Sequence, residues 1–230
     1  MLRPVLRAVI FDLHGTLLDD EPLRVSLLRA LAAEHAIEID AVFAASLAGS
    51  DDRTALRQIW SRAGRQLPPD ELRRLLAEKQ RRYAAAIGDR PPLFPGARAI
   101  FEEAARRVPV GVVATSLRAD ALTALKCAGF FRRLCALVTA EEAPAPSAAA
   151  FEACLASINR VATRYRLEPI APRETLVFED TQAGIAAAQA AGMKVAAVAH
   201  TQRFERLAQA ETHAARIVDF ELAALERELF

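Results

Sequence analysis

Two hydrophobic patterns take turns along this chain. Short unbroken apolar runs at residues 5–13, 110–115, 134–139, 175–179 and 194–199 read as buried strands. Between the later runs, residues 97–107, 118–128, 147–165 and 185–191 carry apolar positions at helical spacing. Gly129, Pro144-Ala145-Pro146, Pro169 and Pro172 punctuate them. Strands alternating with helices predict an α/β fold built on a parallel sheet with right-handed crossovers. Residues 216–220 are expected to add a short edge strand before a terminal helix.

The first strand breaks this alternation. After it the pattern is helical only: Glu21-Pro22 opens a run with Leu23, Leu27, Leu28 and Leu31, and further helical segments follow at 40–48, 51–63 and 69–87. Gly49, Gly64, Pro68-Pro69 and the stretch from Gly88 to Pro92 separate them. An all-helical insert therefore sits between the first strand and the rest of the sheet, and Trp60 is expected in its core.

Composition narrows the function classes. The 30 basic and 29 acidic residues leave a formal charge of +1, so no global field favours nucleic acid, and the Arg-rich segments fall on helical faces. No apolar run reaches the ~20 residues that span a bilayer. Met1-Leu2-Arg3-Pro4 runs straight into the first strand, so a cytoplasmic protein without a membrane partner is expected. Cys127, Cys135 and Cys154 lack metal-ligand spacing and read as reduced, mostly buried thiols. His35, His200 and His213 have no partner in the sequence and are expected at the surface.

Two strand ends carry acids. Asp12 closes the first run ahead of His14-Gly15-Thr16, and Glu179-Asp180 closes the run at 175–179 ahead of Gly184. In an open α/β sheet, ligands collect at the carboxyl ends of strands. Acids from two such ends are what Mg²⁺ takes, since it is commonly held by one or two carboxylates plus substrate phosphate. Capping of the following helices is the other use of the same residues, as it is for Ser50 or Asp51 in the Gly49–Arg53 loop.

The motifs Asp12-Leu13-His14-Gly15-Thr16-Leu17, Asp19-Asp20-Glu21-Pro22, Phe94-Pro95-Gly96, Val112-Val113-Ala114-Thr115-Ser116, Pro144-Ala145-Pro146 and Phe178-Glu179-Asp180 through Gly184-Ile185 to Ala190-Ala191-Gly192-Met193 occur in one order along the chain. In that order the sequence resembles the haloacid dehalogenase-like hydrolase superfamily, in its phosphoglucomutase-like and phosphoglycolate-phosphatase-like branch. The resemblance implies a Rossmann-like core from residues 1–16 and 93–230, and an inserted helical cap from residues 17–92. It implies Asp12 as the nucleophile forming an aspartyl-phosphate, and Mg²⁺ held by Asp12, the main-chain carbonyl of His14 and Asp180, with Glu179 acting directly or through water. It further implies Thr115 as a phosphate hydrogen-bond donor, with Thr16 and Ser116 beside it, and the Gly49–Arg53 loop as a specificity loop. The substrate would be a small phosphorylated metabolite.

Two positions depart from the family pattern. His14 stands where the general acid/base is usually an Asp, and Ala143 stands where a Lys usually precedes Pro-Ala-Pro. An imidazole can serve as acid and base near neutral pH. The missing Lys leaves the nucleophile less compensated, with Arg53 and Arg118 as the replacement cations by motif position. Three readings follow: a Mg²⁺-dependent phosphomonoesterase, a binding or regulatory module that has lost turnover, and a sugar phosphomutase. A basic group within reach of Asp12 would favour the first, and an empty acidic pocket the second.

Overall fold

The computed structural model describes residues 5–47 and 49–230. Expectations that touch residues 1–4, at the start of the core segment, and Ala48, at the end of the 40–48 helical segment, lie outside the described residues.

In chain order the elements are β1 (Ala8–Asp12), α1 (Glu21–Glu34), α2 (Ala41–Ser46), α3 (Asp52–Arg62), α4 (Pro69–Ile87), α5 (Ala97–Arg107), β2 (Val110–Ala114) and α6 (Arg118–Cys127). There follow β3 (Ala136–Thr139), α7 (Ala148–Arg164), β4 (Thr175–Glu179), α8 (Gln182–Ala190), β5 (Lys194–Val198), β6 (Thr212–Ala214) and α9 (Leu222–Leu229). The strands form one parallel sheet in the order β3-β2-β1-β4-β5-β6. Both faces are covered, so the strands are apolar throughout rather than alternating. Val9 and Phe11 of β1 face a cluster with α5, α6 and α9, whereas Ala8 and Ile10 face one with α7 and α8. Phe11 stacks on Phe178 of β4 with ring centroids 4.9 Å apart.

The strand order reverses at β1, whose neighbours are β2 and β4. Such a reversal opens a crevice at the carboxyl edge of the sheet. Phe11 pairs with Phe178 in the β1–β4 register, so Asp12 and Glu179, each one residue further on, leave the sheet at the same edge.

Helices α1 to α4 pack around an apolar cluster of their own that includes Leu28, Leu31, Leu56, Ile59, Trp60, Leu72 and Leu76. The chain enters and leaves this unit through a paired neck: Asp19 N–H donates to Pro92 at 2.7 Å and Phe94 N–H to Leu17 at 3.1 Å. The unit also meets the core directly, since Leu117 joins its cluster while Tyr83 and Ile87 of α4 join the core's.

The structure corrects three expectations. The edge strand lies at Thr212–Ala214, and Ile217–Asp219 forms a single 3₁₀ turn instead. Ile217 and Phe220, three residues apart, reach the core from one turn, a spacing that a strand would split between two faces. Cys135 is exposed, Cys127 half-buried and Cys154 buried, all as free thiols. His200 is a partnered, half-buried group that stacks on Phe94 and stands 3.0 Å from the Gly15 carbonyl. Among the described residues no helix is long and apolar enough to cross a membrane.

Candidate active site

The floor of the crevice is acidic. Asp12, Glu179 and Asp180 are all buried where β1 and β4 end. The turn after Asp12 brings the two ends together. Gly15 adopts φ +91°, and a Cβ on it would overlap the Asp180 carboxylate, so only glycine lets the loop lie this close. Thr16 Oγ1 donates to Asp180 Oδ1 at 3.2 Å, and the Thr201 hydroxyl donates to Oδ2. His200 Nδ1–H donates to the Gly15 carbonyl at 3.0 Å and Ile217 N–H donates to Nε2 at 3.1 Å, which tethers the loop from behind.

Glu179 is turned differently. Its Oε2 accepts the backbone N–H groups of Asp180 at 2.7 Å and Thr181 at 2.8 Å, together with the Thr181 hydroxyl at 3.0 Å. Its carboxylate lies so close to Gly184 that no Cβ would fit there. Thr181 in turn caps α8 by accepting from Gly184 N–H at 3.0 Å. The capping use of this acid pair is thus realised in Glu179 and Thr181, while Asp180 stays with Asp12.

These acids lack compensation. Burial, then the charges of Glu179 and Asp180, raise the Asp12 carboxyl well above its usual range. Burial and Glu179 do the same to Asp180. Burial pushes Glu179 up to about 7 even against its three hydrogen bonds. Asp12 Oδ2 is buried without a hydrogen-bond partner. A buried carboxylate oxygen with no donor beside two further acids is an arrangement that a divalent cation would complete. Among the described residues no three His, Cys, Asp or Glu side chains already converge as a metal cage. Mg²⁺ needs none, since it keeps waters and phosphate oxygens as ligands.

His14 closes one wall. Its Nδ1 lies 2.9 and 3.0 Å from the two oxygens of Asp20, and its Nε2 lies 2.7 Å from Ser116 Oγ. Tyr83 donates its hydroxyl to Asp20 at 2.5 Å. Burial alone would raise the Asp20 carboxyl, but His14, Arg24 and the Tyr83 hydroxyl hold it below the usual range. Thr115, just past β2, is also buried, and Arg24 of α1 points a guanidinium nitrogen at its hydroxyl from 3.5 Å.

The cations stand elsewhere than the motif positions predict. Ala143 is half-buried against the α7 and α8 cluster. Arg118 reaches the Glu142 carboxylate at 2.8 Å, and Arg53 stands 3.7 Å from Glu141. The Gly49–Arg53 loop serves as a helix start, with Asp51 capping α3 through the N–H groups of Arg53 and Thr54, both at 3.0 Å. The cation nearest Thr115 is Arg24, which is itself tied to Glu21 at 2.8 Å and Asp52 at 3.4 Å. A cavity of about 330 Å³ opens onto the site, lined by His14, Glu21, Asp180, Thr181 and, from the loop after β5, Gln202, Arg203 and Arg206. Arg203 and Arg206 are exposed and form no ion pair among the described residues.

Sequence reasoning therefore brings Asp12, His14, Thr16, Thr115, Ser116, Glu179 and Asp180 to one crevice, and leaves Arg53 and Arg118 at its edge on acid partners. It missed Asp20, Tyr83, Arg24 and the Arg203/Arg206 pair. A signal for Arg24 existed: it stands four and seven residues before Leu28 and Leu31 on the buried stripe of α1.

Comparison with known proteins agrees with this architecture. The family model for haloacid dehalogenase-like hydrolases matches residues 6–192. A validoxylamine A 7'-phosphate phosphatase of Streptomyces hygroscopicus subsp. limoneus is 28% identical over 211 residues, covering 89% of this chain and 91% of that protein. β-Phosphoglucomutase from Clostridium difficile superposes with a TM-score of 0.82 at 21% identity, over 97% of both chains. CbbY from Rhodobacter sphaeroides, solved in complex with phosphate, gives 0.82 at 18% identity, over 96% of this chain and 99% of its own. At such identities these structures speak to the fold alone, whereas the family match spans most of the sequence. With an α/β core, acids at the ends of β1 and β4 and a helical insert after β1, this chain belongs to the haloacid dehalogenase-like hydrolases.

Proposed function

We propose that the protein is a Mg²⁺-dependent phosphomonoesterase acting on a small phosphorylated metabolite through an aspartyl-phosphate on Asp12. The strongest charges acting on Asp12 are acidic, which counts toward a binding module; what carries this reading is the orphaned Oδ2 of Asp12 beside Glu179 and Asp180, a donor set that a divalent cation completes. Asp12, the main-chain carbonyl of His14 and Asp180 would hold the metal, with Glu179 standing behind Asp180 on the start of α8. When bound, Mg²⁺ supplies the positive charge that lets a carboxylate approach a phosphate dianion.

The remaining work falls to the chain's own side chains. Asp12 attacks phosphorus, which splits one displacement into two easier ones. Thr115, with Thr16 and Ser116 nearby, donates hydrogen bonds to phosphate oxygens. His14 gives a proton to the leaving oxygen and takes one from the attacking water. The helical unit, residues 17–92, acts as a cap that keeps bulk water from the core, residues 1–16 and 93–230. Arg203 and Arg206, exposed at the cavity wall, meet the anionic substrate as it enters. The phosphatase relative, named for a phosphorylated small molecule, supports the substrate class.

One observation favours a second reading, a phosphate-binding module without turnover: Ala143 brings no charge to Asp12, and the cations predicted to replace a Lys there are engaged with Glu141 and Glu142. The two readings part on one assay. Purified protein should hydrolyse an aryl phosphate with Mg²⁺ and not with EDTA, and Asp12→Asn should lower that rate by at least ~1,000-fold. Equal inactivity of both proteins across a panel of sugar and small-molecule phosphates would select the binding module.

A further inference from the structure

The imidazole of His14 is gripped at both nitrogens, and the grip comes from two different parts of the chain. Ser116, on the core side after β2, meets Nε2 at 2.7 Å. Asp20, at the start of α1, meets Nδ1 through both its oxygens at 2.9 and 3.0 Å. Asp20 is itself braced by the Tyr83 hydroxyl of α4 at 2.5 Å. His14, Asp20, Tyr83 and Ser116 are all buried, so water does not compete for these bonds. An ionised carboxylate only accepts, so Nδ1 must carry a hydrogen and Nε2 is the nitrogen left for chemistry, accepting from Ser116 Oγ–H when it is unprotonated.

We propose that Asp20, braced by Tyr83, is the positioning residue that fixes the tautomer and orientation of His14 for proton transfer at Nε2. This rests on the reading of His14 as the acid/base of a phosphomonoesterase. In the first half-reaction the bond from Asp12 to phosphorus forms, the bond from phosphorus to the ester oxygen breaks, and that oxygen takes the proton from Nε2. The ring keeps its Nδ1 hydrogen on Asp20. In the second half-reaction water attacks the aspartyl-phosphate, its proton passes to Nε2, and Asp12 and inorganic phosphate are released. Both transfers use the same nitrogen, which requires that Nδ1 never lose its partner. Because Asp20 and Tyr83 lie in the helical segment and His14 on the core loop, the proton-transfer group is assembled only when these two parts are apposed.

The test separates positioning from simple structural support. An alkyl phosphate needs its leaving oxygen protonated, whereas an aryl phosphate scarcely does. Asp20→Asn should therefore lower kcat on an alkyl phosphate by about 100-fold and on an aryl phosphate by less than ~10-fold, with KM little changed on either. Tyr83→Phe, a milder change that keeps the ring in the core, should show the same split at about a tenth of the size. Equal losses on both substrates, or losses confined to KM, would overturn the proposal. Nitrogen-15 NMR of the histidines, assigned with His14→Gln, gives a readout that does not need turnover. The Nδ1–H form of His14 should dominate in the wild type and give way to a mixture in Asp20→Asn. An unchanged tautomer would overturn the positioning role even in an active enzyme. A wild type that hydrolyses no phosphate while its tautomer still shifts in Asp20→Asn would instead sink the phosphatase reading and, with it, the catalytic purpose assigned to Asp20.

Discussion

Two clusters of buried charge are treated in opposite ways. Where the helical unit meets the core, Lys79 of α4 is fully buried with its Nζ 2.9 Å from Asp52 of α3 and 2.7 Å from Asp120 of α6. Arg24 adds a second cation 3.4 Å from Asp52. The two acids feel this unequally. Burial would raise Asp52, but Lys79 and Arg24 together hold it below its usual range. Asp120 has Lys79 as its ion-pair partner without Arg24, and there burial, with the charge of Asp52, wins and the carboxyl is raised. Asp12, Glu179 and Asp180 instead share a crevice in which the charges acting most on Asp12 are those of the other two acids. Paired buried charge is a structural device, and unpaired buried charge marks a candidate binding site.

Breaking the paired region should have the largest effect. Lys79→Met leaves Asp120 buried without its ion-pair partner and Asp52 with Arg24 only, and should cost about 3–5 kcal/mol in denaturant unfolding, with or without Mg²⁺. Next comes the mouth of the unpaired region. Removing both Arg203 and Arg206 as alanines should raise KM for a phosphomonoester by about 10-fold, with kcat nearly unchanged, because exposed cations at an entrance act on capture rather than on chemistry. A double variant with wild-type KM would show that these arginines are ordinary surface residues.

The smallest effect is the one that sharpens the contrast most. In EDTA, Asp12→Asn removes one uncompensated buried charge and should raise stability by about 1 kcal/mol, whereas Mg²⁺ should raise the melting temperature of the wild type and leave the variant nearly unmoved. The paired and unpaired regions would then respond to loss of a charge with opposite signs. A destabilised Asp12→Asn would mean that the Asp12 carboxylate is better accommodated than its orphaned oxygen implies.

Much of this was legible in one dimension. The mostly apolar runs ending in Asp12, Thr115 and Glu179-Asp180 read as strands because short runs buried along their whole length suit a strand covered on both faces. Parallel connections then bring all those ends to one edge, where the β1–β4 pairing sets the acids of the two strands side by side. Ser50 or Asp51 reads as the cap ahead of α3, and Asp51 accepts the backbone N–H groups that this use requires. These features depend on residues close in sequence or on the fixed geometry of strand and crossover.

What the sequence did not determine is which polar groups find one another across the junction. Lys79 and Asp120 are 41 residues apart, and Tyr83 and Asp20 are 63 apart. Lys79 falls on the apolar stripe of α4 that runs through Leu72, Leu75, Leu76 and Tyr83, so its burial could have been guessed, but its partners could not. The same holds for Arg53 and Arg118, which motif position offered to the phosphate and packing delivered to Glu141 and Glu142. Glu179 is divided from Asp180 by a single peptide, yet the approach of α8 through Gly184 turns its carboxylate to the helix start. Periodicity and strand-end chemistry are local and survive in the sequence. The pairing of long charged side chains depends on how two separately packed units are apposed, and that only the tertiary structure decided.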